Sequence, residues 1–327
     1  MQHAMTTRPL GRTGLQITPI GQGCWQFSQR QNVSGMFWPN VSREETAAIV
    51  RESLDGGVNW FDTAEVYGWG RSEELLAQAL EDNGRRPGDV LVATKWWPTL
   101  RGSSSIIETV DDRLAHLRGF PIDLHQVHHP LALSTARGQM QAMAQLVRDG
   151  KIGSVGVSNF SARKMIHASS ALNDLGLCLA SNQVKYSMLD RRIEKNGVLD
   201  AALRLGVTII AYSPLEQGLL SGKFHDDPEL IRRRQGFRRF LPWFKRERIE
   251  ESRPLIEALR EIGQGYQASP AQVALNWLIN AHGPGVVAIP GATKVKHARD
   301  NVKAMSFSLT PDELRRLDEL SRRYARF

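Results

Sequence analysis

The feature that most constrains this chain is an alternation: eight short apolar runs, separated by amphipathic helical stretches, follow one another along its length. The runs span 20–24, 58–63, 90–95, 124–128, 154–158, 180–184, 207–212 and 286–290. Most are continuously apolar, as expected of parallel strands covered on both faces. The intervening segments carry helix signals. Ser42-Arg-Glu-Glu45 has the spacing of a capping box, in which the Ser42 hydroxyl accepts from the backbone three residues on and Glu45 reaches back. Asp55-Gly-Gly57 ends the same helix, because glycine takes the left-handed conformation at little cost. Further helices are expected over 72–80, 104–117, 138–148, 162–171 and 198–205.

Eight strand–helix units in 327 residues suit a single (β/α)8 barrel spanning 1–327. A doubly wound open sheet would announce itself by a glycine-rich turn after its first strand, and Gly21-Gln-Gly23-Cys-Trp-Gln26 lacks the third glycine. No charge-rich linker divides the chain. With 41% hydrophobic and 23% charged residues it lies far from the compositions that stay disordered. Cys24 and Cys178 cannot build a disulfide framework. Residues 1–9 lack the apolar stretch of a secretory signal. Residues 262–293 contain no Asp, Glu, Lys or Arg, yet Gly263, Gly265, Pro270, Asn276, Asn280, Gly283 and Pro284 interrupt them too often for a membrane span. A cytoplasmic protein with no membrane partner is expected.

Residues 224–250 break the rhythm. They hold Arg232-Arg-Arg-Gln-Gly-Phe-Arg-Arg239, then Phe240, Trp243, Phe244, Lys245 and Arg246, and the whole chain has a net charge of +8. Basic residues interleaved with aromatics suit nucleic acid, but no nucleic-acid fold accompanies them. The expectation is a solvated excursion over the barrel mouth, with no nucleic-acid partner.

Residues at the C-terminal ends of barrel strands converge on one mouth, where catalysis is usually found. Asp62 ends one run, with Tyr67 in the short loop after it; Lys95 ends the next and His128 the one following. A buried Lys needs a counter-charge, which Asp62 can supply. A Tyr beside that cation is expected to become more acidic, since the cation favours phenolate. An ordinary Tyr, with a pKa near about 10, is a poor acid–base group at neutral pH, so such tuning would have a purpose. No metal site is expected. Trp25 and Trp96 are expected to wall a flat apolar cavity suited to aromatic or medium aliphatic aldehydes.

At these residues the sequence resembles the aldo-keto reductase superfamily. The resemblance lies in Asp62-Thr-Ala-Glu-Val-Tyr-Gly68, Gly70-Arg-Ser-Glu-Glu74, Ala93-Thr-Lys95, Asp123-Leu-His-Gln-Val-His128 and Lys151-Ile-Gly-Ser-Val-Gly-Val-Ser-Asn159. It continues through Asn182-Gln183, Ala211-Tyr-Ser-Pro-Leu215, Gly218-Leu-Leu-Ser-Gly-Lys223 and Ile289-Pro-Gly-Ala-Thr293. The flavour is that of the longer bacterial members and the potassium-channel β-subunits. The resemblance implies an N-terminal β-hairpin, a basic insertion after the seventh barrel strand and a C-terminal helix. It implies a catalytic tetrad of Asp62, Tyr67, Lys95 and His128 that reduces aldehydes and ketones with NADP(H), Tyr67 being the general acid. It places Ser158, Asn159 and Gln183 on the nicotinamide carboxamide and Tyr212 against the ring. Trp25, Asp62, Ser213, Pro214, Leu215, Gln217, Gly218, Lys223, Gly291 and His297 complete the implied cofactor contacts. Thr293, Lys294 and Arg233 are expected at the 2′-phosphate, and Asp300 and Asn301 at the adenine. Trp25, Trp96 and His129 are expected around the substrate.

Some positions depart from the family's habits. His129 follows the catalytic His where a larger aromatic or Arg is usual, Lys185 stands for a common Glu, His297 for Gln and Asp300 for Glu. None removes a tetrad member. The alternative function is a nicotinamide-binding regulatory subunit like the channel β-subunits, which would keep the same barrel and cofactor site.

Overall fold

The structure is a computed structural model that describes residues 6–29, 39–231 and 244–325. An antiparallel hairpin, β1 (Arg8–Pro9) and β2 (Gln16–Ile17), comes first. Eight parallel strands follow, each paired with its neighbours in chain order: β3 (Gln22–Gly23), β4 (Trp60–Asp62), β5 (Leu91–Trp96), β6 (Ile122–Val127), β7 (Ile152–Ser158), β8 (Leu179–Lys185), β9 (Thr208–Tyr212) and β10 (Val286–Ala288). Parallel bridges Ile20–Ala288 and Gly23–Gly291 join the first strand to the last. The Gly21 N–H donates to the Ala288 carbonyl and the Ala288 N–H to that of Pro19, each at 2.9 Å. This is the (β/α)8 arrangement read from the sequence.

Helices fill the crossovers, among them Arg43–Asp55, Arg71–Asp82, Ser104–His116, Ala136–Arg148, Ala162–Asn173 and Val198–Leu205. The capping box at Ser42 is present in full. The expected start at 138 moves back to Ala136 because Thr135 is the cap, its hydroxyl accepting from the Gly138 N–H at 3.1 Å. β3 and β4 are shorter than their apolar runs, yet ladder bonds continue past the ends of β4, from the Leu91 N–H to Asn59 O and from the Thr63 N–H to Ala93 O. The helix Pro311–Tyr324 closes the described chain. No helix among the described residues is long and apolar enough to cross a membrane.

The core has two parts. A large cluster fills the space between barrel and helices, and a smaller one fills the barrel itself: Leu10, Ile17, Trp60, Ala93, Leu124, Ala180, Ile210, Val287 and Ile289. The hairpin seals this inner cluster from below, with Trp60 Nε1 donating to Thr18 O at 2.9 Å. Gly21 is required there, because a Cβ would lie 2.3 Å from the Trp60 indole.

The insertion departs from expectation. Its described ends are not a solvated excursion: Phe224, Ile231, Phe244 and Ile249 are buried, and the Phe224 and Phe244 rings meet edge to face at 5.1 Å. Apolar burial anchors both ends on the barrel. Residues 232–243, with the arginine run and Trp243, lie outside the described residues.

Candidate active site

Moving two residues along three adjacent strands changes the barrel interior from apolar to polar. Trp60, Ala93 and Leu124 give way to Asp62, Lys95 and Gln126 on the same faces, as the period of a strand requires. Lys95, wholly buried, donates from Nζ to Asp62 Oδ1 at 2.5 Å and to Thr63 O at 2.8 Å. The other Asp62 oxygen accepts from Gln126 Nε2 at 3.1 Å and Gln183 Nε2 at 2.8 Å. A buried ion pair is tolerable only when its remaining hydrogen-bonding capacity is met, and here two neutral amides meet it. Lys95 Nζ sits 5.1 Å from the centre of the Tyr67 ring, and the Tyr67 and His128 rings meet at 83° with centroids 5.7 Å apart.

The expected acidification of Tyr67 is not found. Burial, then the negative charge of Asp62, pushes its phenol well above the ordinary tyrosine value. Lys95, although its Nζ lies 5.1 Å from the ring centre, does not offset them. Tyr67 is therefore held protonated. Burial, then the charge of Lys95, pushes His128 well below the ordinary imidazole value. At neutral pH the mouth presents a protonated phenol beside a neutral imidazole.

These groups face one end of a cleft of about 1200 Å³. Asp62, Tyr67 and His128 line it, as do Trp25, Ser158, Asn159, Gln183, Tyr212, Ser213, Pro214, Leu215, Gln217 and Gly218. Lys223, Gly291, Thr293, His297, Asp300 and Asn301 line it as well. Tyr212 OH donates to Asn159 Oδ1 at 3.0 Å and Asn159 Nδ2 to Ser158 Oγ at 3.0 Å, which fixes the ring and both polar groups together. Ser158 and Asn159 do not cap the next helix; Ser161 does. Trp69, Asn159, Ser213 and Gln217 all have left-handed φ, between 51° and 59°. Such conformations cost energy in non-glycine residues and gather at functional sites.

Several expectations need correction. Trp96 does not wall the cleft. It is 1% exposed and turned outward, its Nε1 donating to Ser105 Oγ on the neighbouring helix at 3.1 Å. Trp97 and Trp69 line the cleft instead. His129 stands behind Trp97, with ring centroids 4.6 Å apart and Nε2 bonded to Thr99 Oγ1 at 2.9 Å. Lys294 is the residue before the helix Val295–Lys303 and does not line the cleft, whereas Lys296 does. Arg233 lies outside the described residues. Lys185 reaches the cleft wall, its charge balanced by Glu216 at 2.9 Å and Asp190 at 3.4 Å.

The sequence reading also missed Gln126, although the two-residue period from Leu124 places it inward beside Asp62. It missed Glu65, whose carboxylate is buried between Arg101 at 2.8 Å and Arg113 at 3.1 Å.

The chain is similar to known proteins over nearly its whole length. The profile of the aldo/keto reductase family matches residues 19–322. An uncharacterized oxidoreductase of Mycobacterium tuberculosis is 37% identical over 312 residues, covering 94% of this chain and 91% of that protein. The solved glycerol dehydrogenase of Gluconobacter oxydans superposes with a TM-score of 0.82 at 26% identity, covering 98% of this chain and 97% of that one. An aldo-keto reductase from Klebsiella pneumoniae, solved in complex with NADPH, superposes at 0.73 with 25% identity, covering 97% of this chain and 95% of that one. With the closed barrel, the buried Lys95–Asp62 pair beneath Tyr67 and a profile match over nearly the whole length, the chain belongs to the aldo/keto reductase family of oxidoreductases.

Proposed function

We propose that this protein reduces aldehydes and ketones to alcohols with NADPH, Tyr67 donating the proton. The observation that carries the reading is geometric: Tyr67 and His128 line one cleft with their rings 5.7 Å apart, and the buried Lys95–Asp62 pair lies against the Tyr67 ring. The same cleft fits a dinucleotide. Asn301 lines it with a buried amide nitrogen that has no partner among the described residues. Leaving such a donor unmet is costly, so a ligand acceptor there is favoured.

The reduced nicotinamide, when bound, supplies hydride to the carbonyl carbon. Tyr67 gives its proton to the oxygen that becomes the alkoxide. His128 donates a hydrogen bond from its neutral ring to the same oxygen, which stabilises the developing charge. Asp62 and Lys95 hold the electrostatic setting of Tyr67. Gln183 has its amide nitrogen committed to Asp62 and so offers its oxygen to the carboxamide, beside Ser158 and Asn159. Thr293, Lys223 and Lys296 would meet the 2′-phosphate, Asp300 and Asn301 the adenine, and Arg233 the phosphate from the insertion. Trp25, Trp69 and Trp97 favour flat aromatic aldehydes.

Dissociation constants for NADPH and NADH, followed by NADPH oxidation across a panel of aromatic and aliphatic aldehydes, test this reading. One charge-assisted phosphate contact is worth about tenfold or more, so NADPH should bind tighter by at least that. Equal affinities, or tighter NADH, would remove the phosphate assignment alone. Tight cofactor binding with no turnover across the panel would instead favour the regulatory-subunit reading.

A further inference from the structure

We infer that Glu65 and Arg101 act as a clamp that positions Trp97, and so govern how the cleft holds its carbonyl substrate; this rests on the reductase reading above. Glu65 lies between Asp62 and Tyr67 and is 6% exposed. Its backbone joins two loops, the N–H donating to Lys95 O at 3.1 Å and the carbonyl accepting from Gly70 N at 3.0 Å. Its carboxylate reaches the first residue past β5: Oε2 accepts from the Trp97 N–H at 2.8 Å. Oε1 meets Arg101 Nη1 at 2.8 Å, and that same Nη1 donates to the Trp97 carbonyl at 3.0 Å. Both polar groups of Trp97's backbone are thus held by one ion pair.

The clamp is itself fixed from behind. Arg101 Nη2 donates to Thr109 Oγ1 at 2.9 Å and its Nε to Ser105 Oγ at 3.1 Å. Arg113 bridges Glu65 at 3.1 Å and Glu73 at 2.8 Å, and Thr94 Oγ1 donates to Glu73 Oε1 at 2.5 Å. Buried ion pairs add little stability compared with apolar residues of the same volume, so stability alone does not account for this network. What it does fix is a ring that lines the cleft and stands edge-on to His128 at 5.1 Å. The Asp62–Lys95 pair has its own hydrogen bonds and does not depend on the clamp. Glu65 and Arg101 are therefore positioning residues for the substrate side of the site.

The test uses NADPH-saturated enzyme. Arg101→Met should raise KM for an aromatic aldehyde roughly tenfold, as small displacements of a binding wall do, with kcat held within about threefold. NADPH affinity should not change. Glu65→Gln keeps an acceptor for the Trp97 N–H while losing the charge, and should fall between wild type and Arg101→Met. In a Trp97→Ala background, which removes the ring but keeps the clamped backbone, the Arg101→Met effect on KM should largely vanish, because the clamp acts on substrate through that ring. Exchange of the Trp97 amide hydrogen, followed by NMR, should be at least about tenfold faster in Arg101→Met, since Glu65, the acceptor of that N–H, and the Trp97 carbonyl both lose the guanidinium that holds them. An unchanged KM and amide exchange in a folded Arg101→Met protein would overturn the clamp, as would full additivity with Trp97→Ala or a parallel loss of NADPH affinity. The amide exchange decides the clamp even if no carbonyl is turned over, an outcome that would count against the reductase reading alone.

Discussion

The barrel interior has two storeys that differ in every respect but backbone. The lower one, sealed by the hairpin, is apolar, with Trp60, Ala93 and Leu124 among its members. The upper one, two residues further along the same strands, holds Asp62, Lys95 and Gln126 in one connected set of hydrogen bonds. Identical strand geometry therefore supports either cohesion or charge, and only the side chains divide the labour. The lower storey should answer to perturbation in stability, the upper in chemistry.

The largest expected effect is on turnover. Tyr67→Phe removes the proton donor without touching the Asp62–Lys95 pair and should lower kcat by about 10²–10⁴. NADPH affinity should stay close to wild type in a fluorescence titration; a variant with near-normal turnover would remove Tyr67 from its role. A matched pair comes next. Lys95→Met leaves the Asp62 charge buried without its partner and should cost about 3–5 kcal/mol in urea unfolding. Leu124→Ala, on the lower storey, should cost about 2–5 kcal/mol through lost burial and a cavity. Only Lys95→Met should also abolish reduction, and equal activity in the two variants would erase the division between storeys.

A smaller effect follows from His125, which faces outward from β6. Neither of its buried ring nitrogens has a partner among the described residues, and burial, then the charge of Arg113, pushes its imidazole down to about 3. The unfolded chain takes up that proton near about pH 6.5, so stability is complete above this and falls as pH drops toward 3. At about pH 5 the loss is about 2 kcal/mol. His125→Phe should narrow the gap between the Tm values at about pH 5 and about pH 7.5; an unchanged gap would place the acid sensitivity elsewhere. The smallest effect is a flat line. With Tyr67 protonated and His128 neutral, kcat for reduction should vary by no more than about twofold between about pH 7 and 9, while alcohol oxidation, which needs the phenolate, rises with pH. Matching profiles for the two directions would argue against one tyrosine serving both.

The fold was legible because strands buried on both faces must be apolar throughout, and because capping chemistry is local, as at Ser42. The candidate site was legible where strand ends carry ionisable groups. The misplacement of Trp96 had a remedy in the sequence: if Lys95 points inward, the next residue on a strand points outward. The same parity turns His125 away from the site and Gln126 into it. The tuning of Tyr67 had no such remedy, since its sign depends on how burial and the Asp62 charge weigh against the Lys95 charge, which is a matter of distances. Nor did the sequence show that Phe224 and Phe244 meet across the insertion, because no periodicity links them.

The hairpin has a kinetic consequence. The Arg8 guanidinium holds Val286 O at 2.8 Å and Asn280 Oδ1 at 3.0 Å, while the Gly11 N–H donates to Thr208 Oγ1 at 2.7 Å. The seal on the lower storey thus joins residues separated by 278 and 197 positions. Contacts of such sequence separation form late, because the entropy of closing so long a loop is lost before any contact compensates for it. On a ribosome the hairpin emerges early but cannot dock until β9 and β10 have followed. Leu10, Ile17 and Trp60 meanwhile remain open to solvent or to other chains, which makes the underside of the barrel the region that most needs shielding during synthesis.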